Sequence, residues 1–475
     1  MATLGLAEIA GATHGDLLLG NGPPPEGAQR AIDGYSIDSR TLQAGDLFFA
    51  IVGPRFDGHR FVADALARGA AAAVVARDAT GTWQDAPALV RVGDTTRALQ
   101  DLGAHVRRSR DLKVAGITGS AGKTTTKEMT AAVFGVRYRT FKSEGNLNNA
   151  FGLPLTLLRM PDDCDAAVLE MGMSYSGEIE RLTGIADPDV GMILNVLRVH
   201  LQNFASLDDI ARAKGELFRA MRRDAIAVYN ADDPSAARLG RDFPGRSIAY
   251  GIEAKRAEVR AEAITPKGLD ATHFVLRHGD DSAPVRLALP GRHNVANALA
   301  ASAAGFAIGL RAEEIAGGLQ AAAPAPMRGA LHRLPGGIQL FDDSYNSNPA
   351  AMEMAIELLR GATPRGRRIL VSGDMLELGQ YERRAHSVLG EQVAAAGIEL
   401  FVAVGPLSQR AADAARAGGV ETHHFASSAA AAPFVVSTAR DGDLVLVKGS
   451  RGMKMERVVE ALTSAAGRDA DGDRR

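Results

Sequence analysis

The chain has 475 residues, enough at roughly 150 residues per domain for about three domains with buried cores. Hydrophobic residues make up 46% of it and charged residues 23%, which excludes a disordered or collagen-like polymer. Lys and Arg number 54 against 56 Asp and Glu, and the net charge of −2 excludes the broad basic footprint of a dedicated nucleic-acid binder. Any anionic ligand must therefore be met by local groups. Cys164 is the single cysteine, which rules out internal disulfides and a cysteine zinc cluster and fits a reducing compartment. Residues 1–10 include Glu8 and lack the basic start and long apolar stretch of a signal peptide. The apolar run 70–76 is far short of the roughly 18 residues that span a bilayer, so the expectation is a cytoplasmic protein without membrane insertion.

In chain order, residues 1–108 hold short apolar segments, 46–52 and 71–76, with a helix expected over 61–68, and predict a small N-terminal α/β domain. After the polar stretch 107–111, strands and helices alternate: strand 114–117, helix 123–133, strands 166–169 and 190–196, helix 207–221, strand 225–229. That alternation predicts a parallel sheet with helices on both faces, a central domain over 109–323. The prolines in Ala321-Ala-Ala-Pro-Ala-Pro326 disfavour helix continuation and mark a second boundary. A C-terminal α/β domain over 324–467 follows, with strands at 368–372, 400–404 and 444–447, and the charged segment 468–475 reads as a disordered tail.

The segment Lys113-Val-Ala-Gly-Ile-Thr-Gly-Ser-Ala-Gly-Lys-Thr-Thr-Thr126 reads as a strand, a glycine turn and a helix start, so that backbone N–H groups converge on phosphate. Gly119 and Gly122 permit the turn, Lys123 reaches the outer phosphates, and the Thr124 hydroxyl is placed to ligate Mg²⁺. A strict P-loop pattern wants glycine at position 117, where Ile117 stands.

Three further residues are candidates for the same site. Glu170 ends the apolar strand 166–170, and ligands collect at the carboxyl ends of parallel strands; a solvated strand-end carboxylate is the alternative. His200 follows the strand ending near Asn195 and, taken alone, is as readily an ordinary polar loop residue as a metal ligand. Lys214 lies beside the apolar face formed by Ile210, Ala213, Leu217 and Met221, behind the cap Ser206. An inward lysine must find a partner or change its charge, whereas an outward one snorkels to water.

These residues, in this order, resemble the ATP-dependent Mur ligases of peptidoglycan synthesis. The likeness runs over essentially the whole chain except the charged tail. It is carried by Asp38-Ser-Arg40, Gly45-Asp-Leu-Phe48, Phe56-Asp-Gly-His59, Thr118-Gly-Ser-Ala-Gly-Lys-Thr-Thr-Thr126, Glu144-Gly-Asn-Leu-Asn-Asn149, Glu170-Met-Gly172, Ala213-Lys-Gly-Glu216, Leu289-Pro-Gly-Arg-His-Asn294 with Asn297, Asp342-Asp-Ser-Tyr-Asn-Ser-Asn-Pro349 and Gly373-Asp-Met-Leu-Glu-Leu-Gly379. The family fold it implies has three domains: a small N-terminal α/β domain, a central P-loop mononucleotide-binding domain and a Rossmann-like C-terminal domain.

The resemblance implies an ATP-dependent ligase of the branch that joins D-Ala-D-Ala to UDP-N-acetylmuramoyl-tripeptide, acting as a monomer with two Mg²⁺ ions and a CO₂-derived carbamate on Lys214. By the same likeness Lys123, Glu170, His200 and Lys214 carry the chemistry, and Thr124, Glu170, His200 and Lys214 serve the metals. ATP falls to Thr118, Gly119, Ser120, Ala121, Gly122, Lys123, Thr124 and Thr125, with Asn294 and Asn297 near adenine, Asp343 at the ribose and Arg328 facing the phosphates. Ser39, Arg40, Asp57 and His59 match the uridine end; Asn146 and Asn149 match the muramoyl peptide; Asn346, Asn348 and Lys448 match the dipeptide side. One departure is Gln202, where such ligases carry Glu two positions after the histidine, so no negative charge is available there. A Mur ligase adding a single amino acid and a P-loop regulatory protein without ligase activity are the competing expectations.

Overall fold

The computed structural model describes residues 2–20, 29–53, 56–81, 83, 86–198 and 202–472. Strands buried on both faces have no reason to alternate polar with apolar residues, and the segments Ala166–Glu170 and Val190–Ile193 are buried throughout. They belong to a nine-stranded sheet ordered Thr140–Lys142, Ala166–Glu170, Lys113–Thr118, Val190–Ile193, Ile226–Asn230, Arg246–Gly251, Val259–Lys267, Ala271–His278, Asp281–Leu287. The first seven run parallel, Ala271–His278 runs antiparallel to them, and Asp281–Leu287 is antiparallel to Ala271–His278. From Lys113–Thr118 the chain builds two strands on one side of it and then crosses to the other, so the carboxyl end of that strand is a topological switch point, where α/β sheets bind ligands.

Both faces are covered around the central parallel strands. Ile117, Val168 and Met192 pack with Met129, Val133 and Leu299 on one face, and Val114, Leu169 and Ile193 pack with Ile179, Ile210 and Leu217 on the other. Each such side chain stabilises the fold by about 1.5–3 kcal/mol on burial. The helix Lys123–Phe134, which starts at the glycine turn, is held especially close. A Cβ on Gly318 of the helix Ala312–Ala321 would stand 2.6 Å from Val133 Cα, so only glycine admits this approach.

The N-terminal sheet is ordered Asp16–Leu19, Ala88–Val92, Ala72–Ala76, Leu47–Phe49, Tyr35–Ser36, parallel except for its first pair. The C-terminal sheet is ordered Ala330–Arg333, Gln339–Asp343, Leu444–Lys448, Arg368–Gly373, Leu400–Val404, Glu421–Phe425, again parallel except for its first pair. The approach to this last sheet is tied to it: Gly329 N–H donates to Asp342 O (2.8 Å) and Tyr345 N–H to Met327 O (3.1 Å).

Two expectations need correction. The helix expected over 207–221 is two helices, Leu207–Lys214 and Glu216–Ala220, because Gly215 favours helix poorly and the Leu239 side chain fills the space its Cβ would occupy. The helix Glu456–Gly472 runs through most of the stretch expected to be a disordered tail, since its alanines favour helix and no proline interrupts it. Among the described residues no helix is long and apolar enough to cross a membrane.

Candidate active site

The strand Lys113–Thr118 delivers the chain to the turn Gly119–Gly122. Ile117 is fully buried within that strand, paired beside Glu170 and Met192, so the tight turn begins two residues later than a strict P-loop pattern places its first glycine. Gly122 has φ 83°, and a Cβ there would lie 2.4 Å from Asn297 Oδ1, so the last glycine is required both by its backbone and by its neighbour. Asn195, just past the strand Val190–Ile193, grips the turn. Its Oδ1 accepts from Ser120 N–H (3.0 Å) and Ala121 N–H (2.9 Å), while its Nδ2 donates to Ala121 O (3.1 Å). The first N–H groups of the helix Lys123–Phe134 have no partner within it, and they open onto a cleft of about 460 Å³. A helix N-terminus with free N–H groups attracts phosphate.

Glu170 reaches the same cleft with 4% exposure and a fully specified carboxylate. Thr124 Oγ1 donates to its Oε2 (2.8 Å), Asn148 Nδ2 donates to its Oε1 (2.9 Å), and its own N–H donates to Ser143 Oγ (3.1 Å). Buried Lys127 in turn donates to Ser143 O (2.6 Å). A hydroxyl and a carboxylate side by side next to a phosphate loop are hard oxygen donors of the kind Mg²⁺ takes alongside phosphate oxygens and water. Among the described residues no group of three or more His, Cys, Asp or Glu side chains is placed to hold a metal ion.

Two lysines lie behind the loop. Lys123 Nζ donates to Gly119 O (2.8 Å); burial pushes its ammonium below the usual lysine range, Glu170 opposes that shift and Arg328 adds to it. Lys214 is 2% exposed, and burial together with the charge of Lys123 drives it well below the usual range. It points inward, not to water, and among the described residues it meets no carboxylate.

The opposite wall comes from beyond residue 326. Lys448 Nζ donates to Asp343 Oδ2 (2.5 Å) and Asn346 O (3.1 Å), and the Arg328 guanidinium stacks 4.0 Å from the ring centre of Tyr345. Asn294 and Asn297, both buried at the start of the helix Arg292–Ala307, are joined by a 3.2 Å hydrogen bond, and Asn294 Nδ2 also donates to Pro290 O (2.8 Å). Asn348 caps the helix Pro349–Gly361, accepting from Ala351 N–H (2.9 Å), and Asn149 accepts from Gly152 N–H (2.9 Å) at another helix start.

Most of the residues expected at the site thus share one cleft: Ser120–Thr125, Asn146, Asn149, Glu170, Asn294, Asn297, Arg328, Asp343, Asn346, Asn348 and Lys448 all line it. Thr118 and Gly119 lie beneath the loop. The four N-terminal candidates lie apart from the lining. Asp57 accepts from His59 N–H (2.9 Å) and meets His59 Nδ1 (2.6 Å), while His59 Nε2 accepts from Ala76 N–H (2.9 Å), so both imidazole nitrogens are engaged in the fold. Arg40 pairs with Asp38 (2.7 Å), whose carboxyl it holds down at about 2, and Ser39 is buried beside them. His200 lies outside the described residues. A Cβ on Gly379 of the C-terminal unit would stand 3.4 Å from Gln202 Cα, so Gln202 lies close to that unit. Asn148 and Asn195 were missed from the sequence, although Asn148 lies inside the Glu144–Asn149 motif and Asn195 is the first polar residue past a wholly buried strand.

A phosphate-binding turn at the switch point of one sheet, facing side chains from a second sheet across a single cleft, puts the chain in the class of multidomain P-loop enzymes. Comparison with known proteins is specific beyond that. Models of the Mur ligase family match over residues 31–133 (catalytic domain), 117–305 (middle domain) and 327–451 (glutamate ligase domain). UDP-N-acetylmuramoyl-tripeptide--D-alanyl-D-alanine ligase of Escherichia coli (strain K12) is 36% identical over 97% of this chain and 99% of its own length. The protein of the same name from Bacillus subtilis (strain 168) is 36% identical over 92% and 94%. A crystal structure of MurF from Acinetobacter baumannii superposes with a TM-score of 0.88 at 32% identity, covering 98% of this chain and 99% of that one. MurF from Thermotoga maritima in complex with ADP gives 0.80 at 26% identity, covering 92% and 98%. The chain belongs to the Mur ligase family, whose members are ATP-dependent ligases.

Proposed function

We propose that this chain uses ATP to join the amine of D-Ala-D-Ala to the terminal carboxyl of UDP-N-acetylmuramoyl-tripeptide, giving the pentapeptide, ADP and phosphate. The near full-length likeness to ligases of that name supports the substrates. The observation that carries the reading is the shared cleft, in which Lys123, Thr124 and Glu170 face Asp343, Asn346 and Lys448 of another sheet. A carboxylate is a poor electrophile until one oxygen becomes a leaving group. The peptide carboxylate therefore attacks the γ-phosphate, forms an acyl phosphate and expels ADP; the dipeptide amine then attacks the acyl carbon and phosphate leaves.

The protein's work in that sequence is positioning and charge. The helix start at Lys123 and the Lys123 ammonium offset the repulsion between two anionic reactants. Arg328 faces the outer phosphates, Asn294 and Asn297 hold the adenine end, and Asp343 holds the ribose. Thr124 and Glu170 would hold one Mg²⁺, and His200 with a carbamate on Lys214 would hold a second; the ions supply Lewis-acid charge at the phosphoryl oxygens. Lys214 suits carbamylation because its depressed pKa leaves the amine free to take up CO₂. The domains 1–108, 109–323 and 324–467 would bind the uridine nucleotide, ATP and dipeptide, with Ser39, Arg40, Asp57 and His59 serving the first and Asn146 and Asn149 the muramoyl peptide. The chain acts as a monomer in the cytoplasm on this reading.

Phosphate release with ATP, UDP-N-acetylmuramoyl-tripeptide and D-Ala-D-Ala, leaving out each in turn, tests the proposal. Full release should need all three; release indifferent to the dipeptide would point to a different ligase or a regulatory ATPase. Oxygen-18 in the tripeptide carboxyl should appear in the released phosphate.

A further inference from the structure

Three segments meet at Ser143, the residue just past the edge strand Thr140–Lys142. Its N–H donates to Val168 O (3.0 Å), its Oγ accepts from Glu170 N–H (3.1 Å), and its carbonyl accepts from Lys127 Nζ (2.6 Å). Lys127 stands one turn after Thr124 on the helix that starts at the phosphate turn, and it is 2% exposed. Its nitrogen also lies 3.3 Å from Glu128 Oε1, and Glu128 pairs in turn with Lys142. The phosphate helix is thus fastened to the edge of the sheet at two successive residues.

Beyond Ser143 the chain leaves the sheet and folds over the end of the strand Ala166–Glu170. Asn148 Nδ2 donates to Glu170 Oε1 (2.9 Å), and Asn148 O accepts from Gly172 N–H (2.8 Å). Asn146 and Asn149, in the same segment, line the cleft. Glu170 is therefore gripped from two sides, by Thr124 from the helix and by Asn148 from segment 143–149. The spacing of those two grips is set where Lys127 meets Ser143. A buried lysine is a costly fastener, since its ammonium gives up water for the Ser143 carbonyl and the Glu128 carboxylate. An apolar side chain would fill the space at less cost but would fix no direction, and direction is what a hydrogen bond supplies.

We infer that Lys127 is a positioning residue: acting through Ser143, it sets the spacing between the phosphate turn, which holds ATP, and segment 143–149, which holds the muramoyl peptide. This rests on the ligase reading above. The first step of that reaction needs the peptide carboxylate within about 3–3.5 Å of the γ-phosphorus, and a displacement of about 1 Å costs about 100-fold in rate. Lys127 and Ser143 lie behind the cleft wall and touch neither reactant, so their loss falls on the rate and spares the affinities.

The experiment measures kcat and KM alongside calorimetric binding of the tripeptide and of a non-hydrolysable ATP analogue, with thermal unfolding as the check on folding. Lys127→Met should lower kcat by about 100-fold and leave KM for D-Ala-D-Ala and both dissociation constants within about threefold. Lys127→Arg, which keeps a charged donor, should recover about tenfold of that loss. Ser143→Ala keeps the carbonyl but strips Glu170 N–H of its acceptor, and should lower kcat about tenfold. Because both residues act through one link, the double variant should lose little more than Lys127→Met alone. Lys127→Gln, a shorter donor, gives the same comparison if Lys127→Met does not fold. Unchanged kcat in the folded variants, affinities that fall as far as kcat, or losses that multiply in the double variant overturn the inference and leave the ligase reading intact. Phosphate release by the wild type that ignores tripeptide and dipeptide overturns both.

Discussion

The hydroxyl of Thr124 and the carboxylate of Glu170 meet at 2.8 Å although they come from different segments, one from the start of a helix and the other from the end of the neighbouring strand. Each fixes the other beside the phosphate turn, where the two would hold a Mg²⁺ ion on the reading proposed above. Thr124→Ala should raise the Mg²⁺ concentration needed for half-maximal phosphate release by about 10–100-fold, and Thr124→Ser should restore it. Magnesium titrations of the two variants check this, and an unaltered requirement in Thr124→Ala would remove the pair from metal binding.

The Asn195 side chain holds the phosphate turn by three hydrogen bonds; Asn195→Ala leaves Ala121 N–H and Ala121 O to find other partners, while Ser120 N–H keeps its bond to the backbone carbonyl of residue 195 (3.1 Å). The expected cost is about 1–3 kcal/mol in the turn's geometry, read as a weaker thermal shift on ATP addition. Asn195→Asp should differ in kind: it keeps the acceptor, loses the donor and places a negative charge beside the phosphates, so ATP affinity should fall further than stability. Equal ATP-induced shifts in wild type and both variants would contradict the role given to Asn195.

Lys214 is a buried base with a depressed pKa, so the folded state binds fewer protons there than the unfolded chain. The uncarbamylated enzyme is therefore most stable above the ordinary lysine value of 10.5 and loses stability as pH falls towards the folded value. In CO₂-free buffer, Lys214→Met should gain stability relative to wild type as pH is lowered from 10 to 7, measured by thermal unfolding. Bicarbonate should stabilise wild type and leave the variant unmoved. Lys214→Ala should lose at least about 100-fold in turnover while still binding ATP, and acetate should restore part of it by standing in for the carbamate. Full turnover in Lys214→Ala would take the lysine out of the mechanism.

Because the cleft is lined from both sides of the linker near residue 326, binding of ATP and both acceptors should draw the C-terminal unit inward. The radius of gyration in solution scattering should fall on adding all ligands. Superimposable curves for the free and saturated enzyme would count against closure.

Four strands of the central sheet, near 114–117, 166–169, 190–196 and 225–229, were legible in the sequence because they are largely apolar runs, and the phosphate turn because its glycines and lysine sit between a strand and a helix; Thr140–Lys142 and Arg246–Gly251 were not read. Ile117 looked like a defect in the motif and proved to be an ordinary buried strand residue. The hairpin strands Val259–Lys267, Ala271–His278 and Asp281–Leu287 were not read, although Asp281–Leu287 is largely half-buried with alternating faces, because charged residues and Pro284 dilute the apolar pattern. Asn148 and Asn195 were hidden for another reason: a side chain amide that stays within the protein to shape a loop looks, in sequence, like one that reaches for substrate. Asp57 and His59, matched to the uridine end by the family resemblance alone, also hold a turn and the neighbouring strand together.

The pinning of Gly329 onto the strand Gln339–Asp343, and of Met327 onto Tyr345 just past it, decides which half of the enzyme carries Arg328. On the closure predicted above, the pivot falls upstream of these bonds and the guanidinium travels with the C-terminal unit. Such a bolt would reach the triphosphate only in the shut enzyme, where water is excluded and the fuel is spared.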